Sequence, residues 1–261
     1  MHRLLAAALL LLFATPVFAA MQARPVEWKI GKQAFAGYVV YDDAAMDRRP
    51  GIVMVPNWMG VNAAAVEKAK RIAGDKYVIL LADVYGKGVH PRDHAEAMKA
   101  LQSAYAAPEG LAARAAKAVD VLKSQQGKAP LDVSRMGAIG FCFGGGAVLD
   151  LARSGADIAG VVSFHGNLKA SAKPGPEGIK ASVLVLNGAD DASVTGEDRS
   201  KFVQQMNEAK ADWQLVDFGG TVHCFTEPEE KAESNCRYNE RSATRAFRMM
   251  DDFFTERFGK K

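Results

Sequence analysis

The segment Gly140-Phe141-Cys142-Phe143-Gly144 sets a thiol between two glycines, and Gly145, Gly146 and the apolar run Ala147–Leu151 follow it. A thiol that has lost its proton attacks acyl carbonyls, so the chemistry to look for is nucleophilic. That attack needs a base, and the base needs an orienting group. Two later segments offer them. One is the acidic turn Leu186-Asn187-Gly188-Ala189-Asp190-Asp191-Ala192-Ser193-Val194; the other is Gly219-Gly220-Thr221-Val222-His223-Cys224-Phe225. His223 would take the thiol proton and later return one to the leaving group. Asp190 or Asp191 would fix its tautomer and stabilise the imidazolium.

Elements able to position these residues can be read around them. Apolar, β-rich runs recur at Gly51–Val55, Tyr77–Ala82, Met136–Phe141, Ile158–Phe164 and Val183–Leu186, continuous rather than alternating, as strands buried on both faces are. Helical spacing of apolar residues falls between them, at Val61–Ile72, Leu111–Leu122 and Phe202–Ala209, and again at Ser242–Phe258. Strand and helix in steady alternation predict an α/β fold with a doubly wound, mostly parallel sheet and helices on both faces. Val26–Ile30 and Phe35–Tyr41, flanking Gly31-Lys32, predict a hairpin at one edge. In this frame the run Met136–Phe141 enters the Cys142 turn as a strand and leaves it as a helix. That is the context of a nucleophile elbow, with Cys in place of Ser. The order nucleophile, acid, histidine also suits the fold, each residue following a different strand.

These three segments resemble the dienelactone hydrolase family of the α/β-hydrolase superfamily, and the resemblance covers nearly the whole chain beyond its leader. The family's G-x-C-x-G elbow is similar to Gly140–Gly144, its D-x-x-V turn to Asp191–Val194, and its H-x-F to His223–Phe225, which favours Asp191 over Asp190. The resemblance implies a hydrolase of ester or lactone bonds in small molecules, working through Cys142, His223 and Asp191 and a thioester acyl-enzyme without a cofactor. The segment Val55-Pro56-Asn57-Trp58-Met59-Gly60-Val61-Asn62 resembles the family loop that gives one oxyanion N–H. Trp58 would supply it, and Phe143 the other.

Two departures from the family bear on substrate. Where the dienelactone enzymes carry a glutamate that helps activate the thiol, this chain has Asn57, and an amide cannot take a proton. Activation would then rest on His223, with Asn57 bonding substrate or loop. Of two arginines that hold a substrate carboxylate in those enzymes, one position, in Ala82-Asp83-Val84-Tyr85-Gly86-Lys87, holds Lys87, and the other holds Glu227, which would repel an anion. Asn57, Tyr85, Lys87 and, at a strand end, His165 are therefore the candidate pocket residues.

The rest of the chain bounds these expectations. Its 33 basic and 30 acidic residues give no electrostatic case for nucleic acid. His90 and His94 share helical spacing, but no further ligands accompany them and Pro91 suggests that His90 precedes a helix, so no metal is expected. Met1-His2-Arg3, an apolar stretch and Val17-Phe18-Ala19 read as a signal peptide over residues 1–19. It is too short to span a membrane, and residues 20–261 are expected to form one secreted or periplasmic domain. There Cys224 and Cys236 could pair, leaving Cys142 free, and closing that loop would stabilise the fold by about 3 kcal/mol. Spacing alone leaves the pairing open. Two rival functions also stay open: a non-catalytic binding protein on the same fold, and a thiol redox protein.

Overall fold

The structure, a computed structural model, describes residues 21–44, 47–170, 177–231 and 234–259, so the signal peptide expected over residues 1–19 lies outside the described residues. Among the described residues eight strands are formed: β1 Met21–Ile30, β2 Gln33–Asp42, β3 Arg49–Val55, β4 Val78–Leu81, β5 Leu131–Phe141, β6 Gly160–Phe164, β7 Ser182–Gly188 and β8 Trp213–Phe218. Six helices are interleaved among the same residues: α1 Ala63–Ala73, α2 His94–Tyr105, α3 Gly110–Lys123, α4 Phe143–Arg153, α5 Gly196–Glu208 and α6 Glu240–Gly259. The sheet order is β1-β2-β4-β3-β5-β6-β7-β8. β1 and β2 form the edge hairpin with Gly31-Lys32 at its turn, β2 meets β4 antiparallel, and every other pair is parallel.

Alternation along one strand shows why both faces must be covered. In β3, Ile52 and Met54 point into a core shared with Ala69 of α1 and Phe254 of α6, while Val53 and Val55 point into a second core with Leu122 of α3 and Val148 of α4. All four strand residues are fully buried. Each such side chain stabilises the fold by about 1.5–3 kcal/mol relative to exposure. This two-sided burial makes the sheet doubly wound, as expected, and the architecture is the α/β-hydrolase fold.

Element ends depart from the sequence reading where polar residues intervene. β5 begins at Leu131 rather than Met136, since Leu131 and Asp132 already pair with β3 before a register shift between Pro50 and Gly51. α5 begins at Gly196, well before Phe202, because Thr195 caps it: its hydroxyl accepts from the Asp198 N–H at 3.1 Å and the Asp198 carboxylate accepts from the Thr195 N–H at 3.0 Å. His90 does not precede a helix directly. Asp93 caps α2 instead, accepting from the Glu96 N–H at 2.8 Å.

The order of strands decides where a site can form. From β3 the chain crosses through α1 to β4 on one side, and from β5 it crosses through α4 to β6 on the other. Loops leaving the carboxyl ends of β3 and β5 therefore diverge and open a crevice, the usual place for ligands in such sheets. Trp58 and Cys142 stand on those two loops.

Candidate active site

Cys142 occupies the single step between β5 and α4, with φ 53° and ψ −116°, a backbone conformation that non-glycine residues avoid. The turn is held by its neighbours. The Cys142 N–H donates to the Phe164 carbonyl at 3.0 Å, and packing around the turn leaves no room for side chains. A methyl at Gly140 would meet the Gly144 carbonyl oxygen at 2.0 Å, and one at Gly144 would meet that of Val55 at 2.2 Å. Both obstacles are backbone and cannot rotate away. Gly144→Ala is accordingly expected to destabilise the protein by at least about 1–3 kcal/mol, as overpacking does, and to lower its melting temperature in a calorimetric scan. An unchanged melting temperature would mean that β3 and α4 are packed less tightly than described.

The two partner groups converge on the thiol from other strand ends. Asp191 follows β7 and His223 follows β8. His223 Nε2 lies 3.1 Å from Cys142 Sγ, and its Nδ1 lies 2.7 Å from Asp191 Oδ2. Asp191 is buried and Asp190 exposed, so the pair left open by composition alone is resolved by solvent access. Burial disfavours a charged His223 ring, yet the bonds to Asp191 and Cys142 outweigh it and raise the imidazole to about 10. Burial likewise opposes ionisation of Asp191, and the bond to His223 overcomes it, holding this carboxyl below its usual range. The arrangement can move a proton from sulfur to imidazole and keep the resulting charges paired.

Trp58 and Phe143 both border the space around Cys142 and His223. Phe143 is the first residue of α4, where an N–H has no intrahelical acceptor, and the helix dipole there favours negative charge. Trp58 lies on the loop after β3, whose shape is set by its own bonds: the Met59 N–H donates to Asn57 Oδ1 at 3.0 Å and the Gly60 N–H to the Asn57 carbonyl at 2.9 Å. Among the described residues neither the Trp58 nor the Phe143 N–H has a hydrogen-bond acceptor.

A cavity of about 250 Å³ opens over the thiol, bounded by Trp58, Leu101, Tyr105, Phe143, Asn167, Ser193 and Val194 together with Cys142 and His223. Its described lining contains no Lys, Arg, Asp or Glu. Hollows of about 490 and 590 Å³ lie between α1 and α6 and beside the β1–β2 hairpin, and neither reaches Cys142.

The four candidate pocket residues stand outside this cavity. Lys87 borders the hollow beside the hairpin and pairs with Glu27 at 2.7 Å, so it is no anchor for a substrate anion. Asn57 turns away from the thiol, donating to Glu227 Oε2 at 3.1 Å, and so bonds the loop rather than substrate. Glu227 does not face the cavity either; it is buried, its carboxyl raised by that burial and countered by Lys68 at 2.5 Å. Tyr85 supports the lining from behind. Its hydroxyl donates to the Trp58 carbonyl at 2.9 Å and its ring stacks on Phe143. His165 is wholly buried, 2.8 Å from the Thr226 hydroxyl and packed edgewise against the His223 ring. Burial, then the His223 and Lys68 charges, push its pKa well down, so it stays neutral beside the His223 ring.

Cys224 and Cys236 are joined by a disulfide and Cys142 is free. No group of three or more His, Cys, Asp or Glu side chains suited to a metal occurs among the described residues, His90 and His94 included. Reading the sequence alone missed Leu101 and Tyr105 of α2, and Asn235, which contacts Asp191. An alanine-rich helix and an asparagine in a polar loop give no chemical signal of their own.

The family model described as dienelactone hydrolase family matches residues 35–258. The solved structure m3DLH is 32% identical, covers 92% of this chain and 99% of its own, and superposes with a TM-score of 0.85. A dienelactone hydrolase-like promiscuous phosphotriesterase from metagenomic libraries is 34% identical, covering 92% of this chain and 100% of its own, with a TM-score of 0.84. An uncharacterised protein of Caenorhabditis elegans is 32% identical over 137 residues, 49% of this chain and 84% of that protein.

Proposed function

Since this chain belongs to the dienelactone hydrolase family, and is thus an ester-bond hydrolase, we propose that it cleaves small uncharged esters and lactones through Cys142, His223 and Asp191. The observation that carries this reading is the continuous path from sulfur to imidazole to carboxylate, 3.1 Å and then 2.7 Å. His223 Nε2, its imidazole raised to about 10, takes the thiol proton before the attack, and the sulfur then adds to the acyl carbon as a thiolate. The oxygen of the tetrahedral intermediate gathers negative charge between the N–H groups of Trp58 and Phe143, where one donor is worth about 3 kcal/mol in comparable hydrolases. The imidazolium then protonates the leaving alkoxide, leaving a thioester on Cys142. Water, losing a proton to His223, attacks that thioester; the C–S bond breaks and sulfur recovers the proton.

Uncharged substrates follow from what surrounds the thiol. Trp58, Leu101, Tyr105, Phe143 and Val194 offer aromatic and apolar contact in about 250 Å³, and nothing cationic among them would repay the desolvation of a carboxylate. The similarity to a promiscuous phosphotriesterase adds a second reading, because an uncharged triester meets the same requirement and phosphorus is open to the same thiolate. The disulfide supports residence in an oxidising compartment, such as the periplasm or the exterior.

A matched pair of aryl esters, one neutral and one bearing a carboxylate on the acyl chain, tests the substrate class. The neutral ester is expected to show kcat/KM at least about tenfold higher, reflecting roughly the 1–3 kcal/mol penalty of an unpaired polar group. Lys87→Ala should leave both values unchanged. Faster turnover of the anionic ester, lost in Lys87→Ala, would return that lysine to the site and overturn the uncharged-substrate reading.

A further inference from the structure

Only one oxygen of Asp191 serves His223. The other, Oδ1, accepts from the Ser193 N–H at 2.8 Å and from Asn235 Nδ2 at 3.3 Å. Asn235 grips the same turn twice more: its Oδ1 accepts from the Ala192 N–H at 2.9 Å, and its Nδ2 donates to the Ser193 hydroxyl at 2.9 Å. One amide therefore holds three successive residues of the acid turn. A carboxylate with both oxygens engaged cannot rotate about its own bond, so Oδ2 stays aimed at the ring.

Asn235 is itself held from the other side. Its neighbour Cys236 is bonded through sulfur to Cys224, and Cys224 follows His223 directly. The Arg237 N–H donates to the His223 carbonyl at 3.0 Å, and His223 and Cys236 form a short parallel bridge. Cys224 has φ 58°, a backbone state that a non-glycine residue keeps only when its surroundings impose it. One covalent bond thus ties the segment that presents the base to the segment that grips the acid.

Resting on the triad reading above, we propose that Asn235 is a positioning residue for Asp191 and that the Cys224–Cys236 disulfide keeps it in place. Hydrolysis then depends on a bond whose sulfurs touch no reacting atom. Breaking that bond makes Cys142 turnover slower, although reductants ordinarily preserve enzymes that work through a thiol.

The test compares wild type, Asn235→Ala and Cys142→Ala, each before and after treatment with dithiothreitol and buffer exchange. The reagent converts the disulfide to two thiols, supplying two electrons and two protons as it closes to its own cyclic disulfide. Asn235→Ala is expected to lower kcat by about tenfold or more, the scale of a lost hydrogen bond to a charged group, with KM little changed. The ultraviolet absorbance of the Cys142 thiolate, taken as the difference from Cys142→Ala, should fall with it. A merely structural asparagine would not move that signal. Reduction should slow wild type to a similar extent and slow Asn235→Ala little further, because both act through one contact. Circular dichroism in each state, and the variant Cys224→Ala/Cys236→Ala, confirm that the fold survives. Wild-type kcat and thiolate absorbance in Asn235→Ala, or losses that multiply independently, would overturn the proposal. Cys142→Ala separates the two levels: if it is inactive while Asn235→Ala is normal, only this inference falls, and if it turns over like wild type, the triad reading falls with it.

Discussion

Cys142→Ala is expected to lower kcat/KM for a neutral aryl ester by about ten-thousandfold or more, the scale on which removing a nucleophile acts in hydrolases of this type. The fold should be indifferent, because Cys142 is half-buried and its side chain fills little of either core. Backbone packing around Gly140 and Gly144 fixes the turn, and a methyl in place of the thiol leaves that packing untouched. A melting temperature close to wild type with turnover near background would assign the loss to chemistry. Binding of an unreactive substrate analogue should persist, since the cavity keeps Trp58, Tyr105 and Phe143. The loss of turnover also disposes of a rival: a purely binding protein on this fold would have no Cys142-dependent turnover to lose.

Asp191→Asn is the second large effect, and its sign can be worked out from the imidazole. In the wild type the Asp191 and Cys142 bonds outweigh burial and lift His223 from 6.5 to about 10. An amide removes the charge and can offer its N–H to Nδ1, which favours the wrong tautomer and leaves Nε2 unable to accept the thiol proton. A loss of about ten-thousandfold in kcat follows the same substitution in an analogous triad. Ring resonances followed by NMR across pH should show His223 in the variant losing its proton well below the wild-type value. Stability carries the opposite mark of the same coupling. A raised histidine stabilises the fold fully below its unfolded value near 6.5, and that contribution disappears as pH climbs toward about 10. The wild-type advantage in melting temperature over Asp191→Asn should therefore shrink over that interval. A variant whose ring titrates as in wild type would show that Asp191 does not set the base.

How much of this was legible in the residues differs from element to element. The Cys142 turn was readable because crowding writes itself into composition: positions that cannot hold a Cβ must be glycine. The buried strands were readable from their unbroken apolar runs, and the Gly31-Lys32 hairpin from its turn. Choosing Asp191 over its neighbour needed the family resemblance, since two adjacent carboxylates differ only in which one the fold buries. Lys87 and Glu227 were misplaced for one physical reason. Alignment tells which residue stands at a position, but a charge is free to find another partner, and Lys87 found Glu27 while Glu227 found Lys68. Asn235 was out of reach altogether, because a contact to a carboxylate 44 residues away is made by tertiary packing and a disulfide, not by spacing.

A covalent intermediate on Cys142 is what most directly distinguishes this chemistry. Wild-type protein, mixed with a neutral aryl ester and quenched in acid during steady turnover, should gain the mass of one acyl group, and peptide mapping should place it on Cys142. The adduct should be released by hydroxylamine, as a thioester is, and be absent from Cys142→Ala. An acyl group found on another residue, or full turnover in a protein whose Cys142 is blocked, would contradict it.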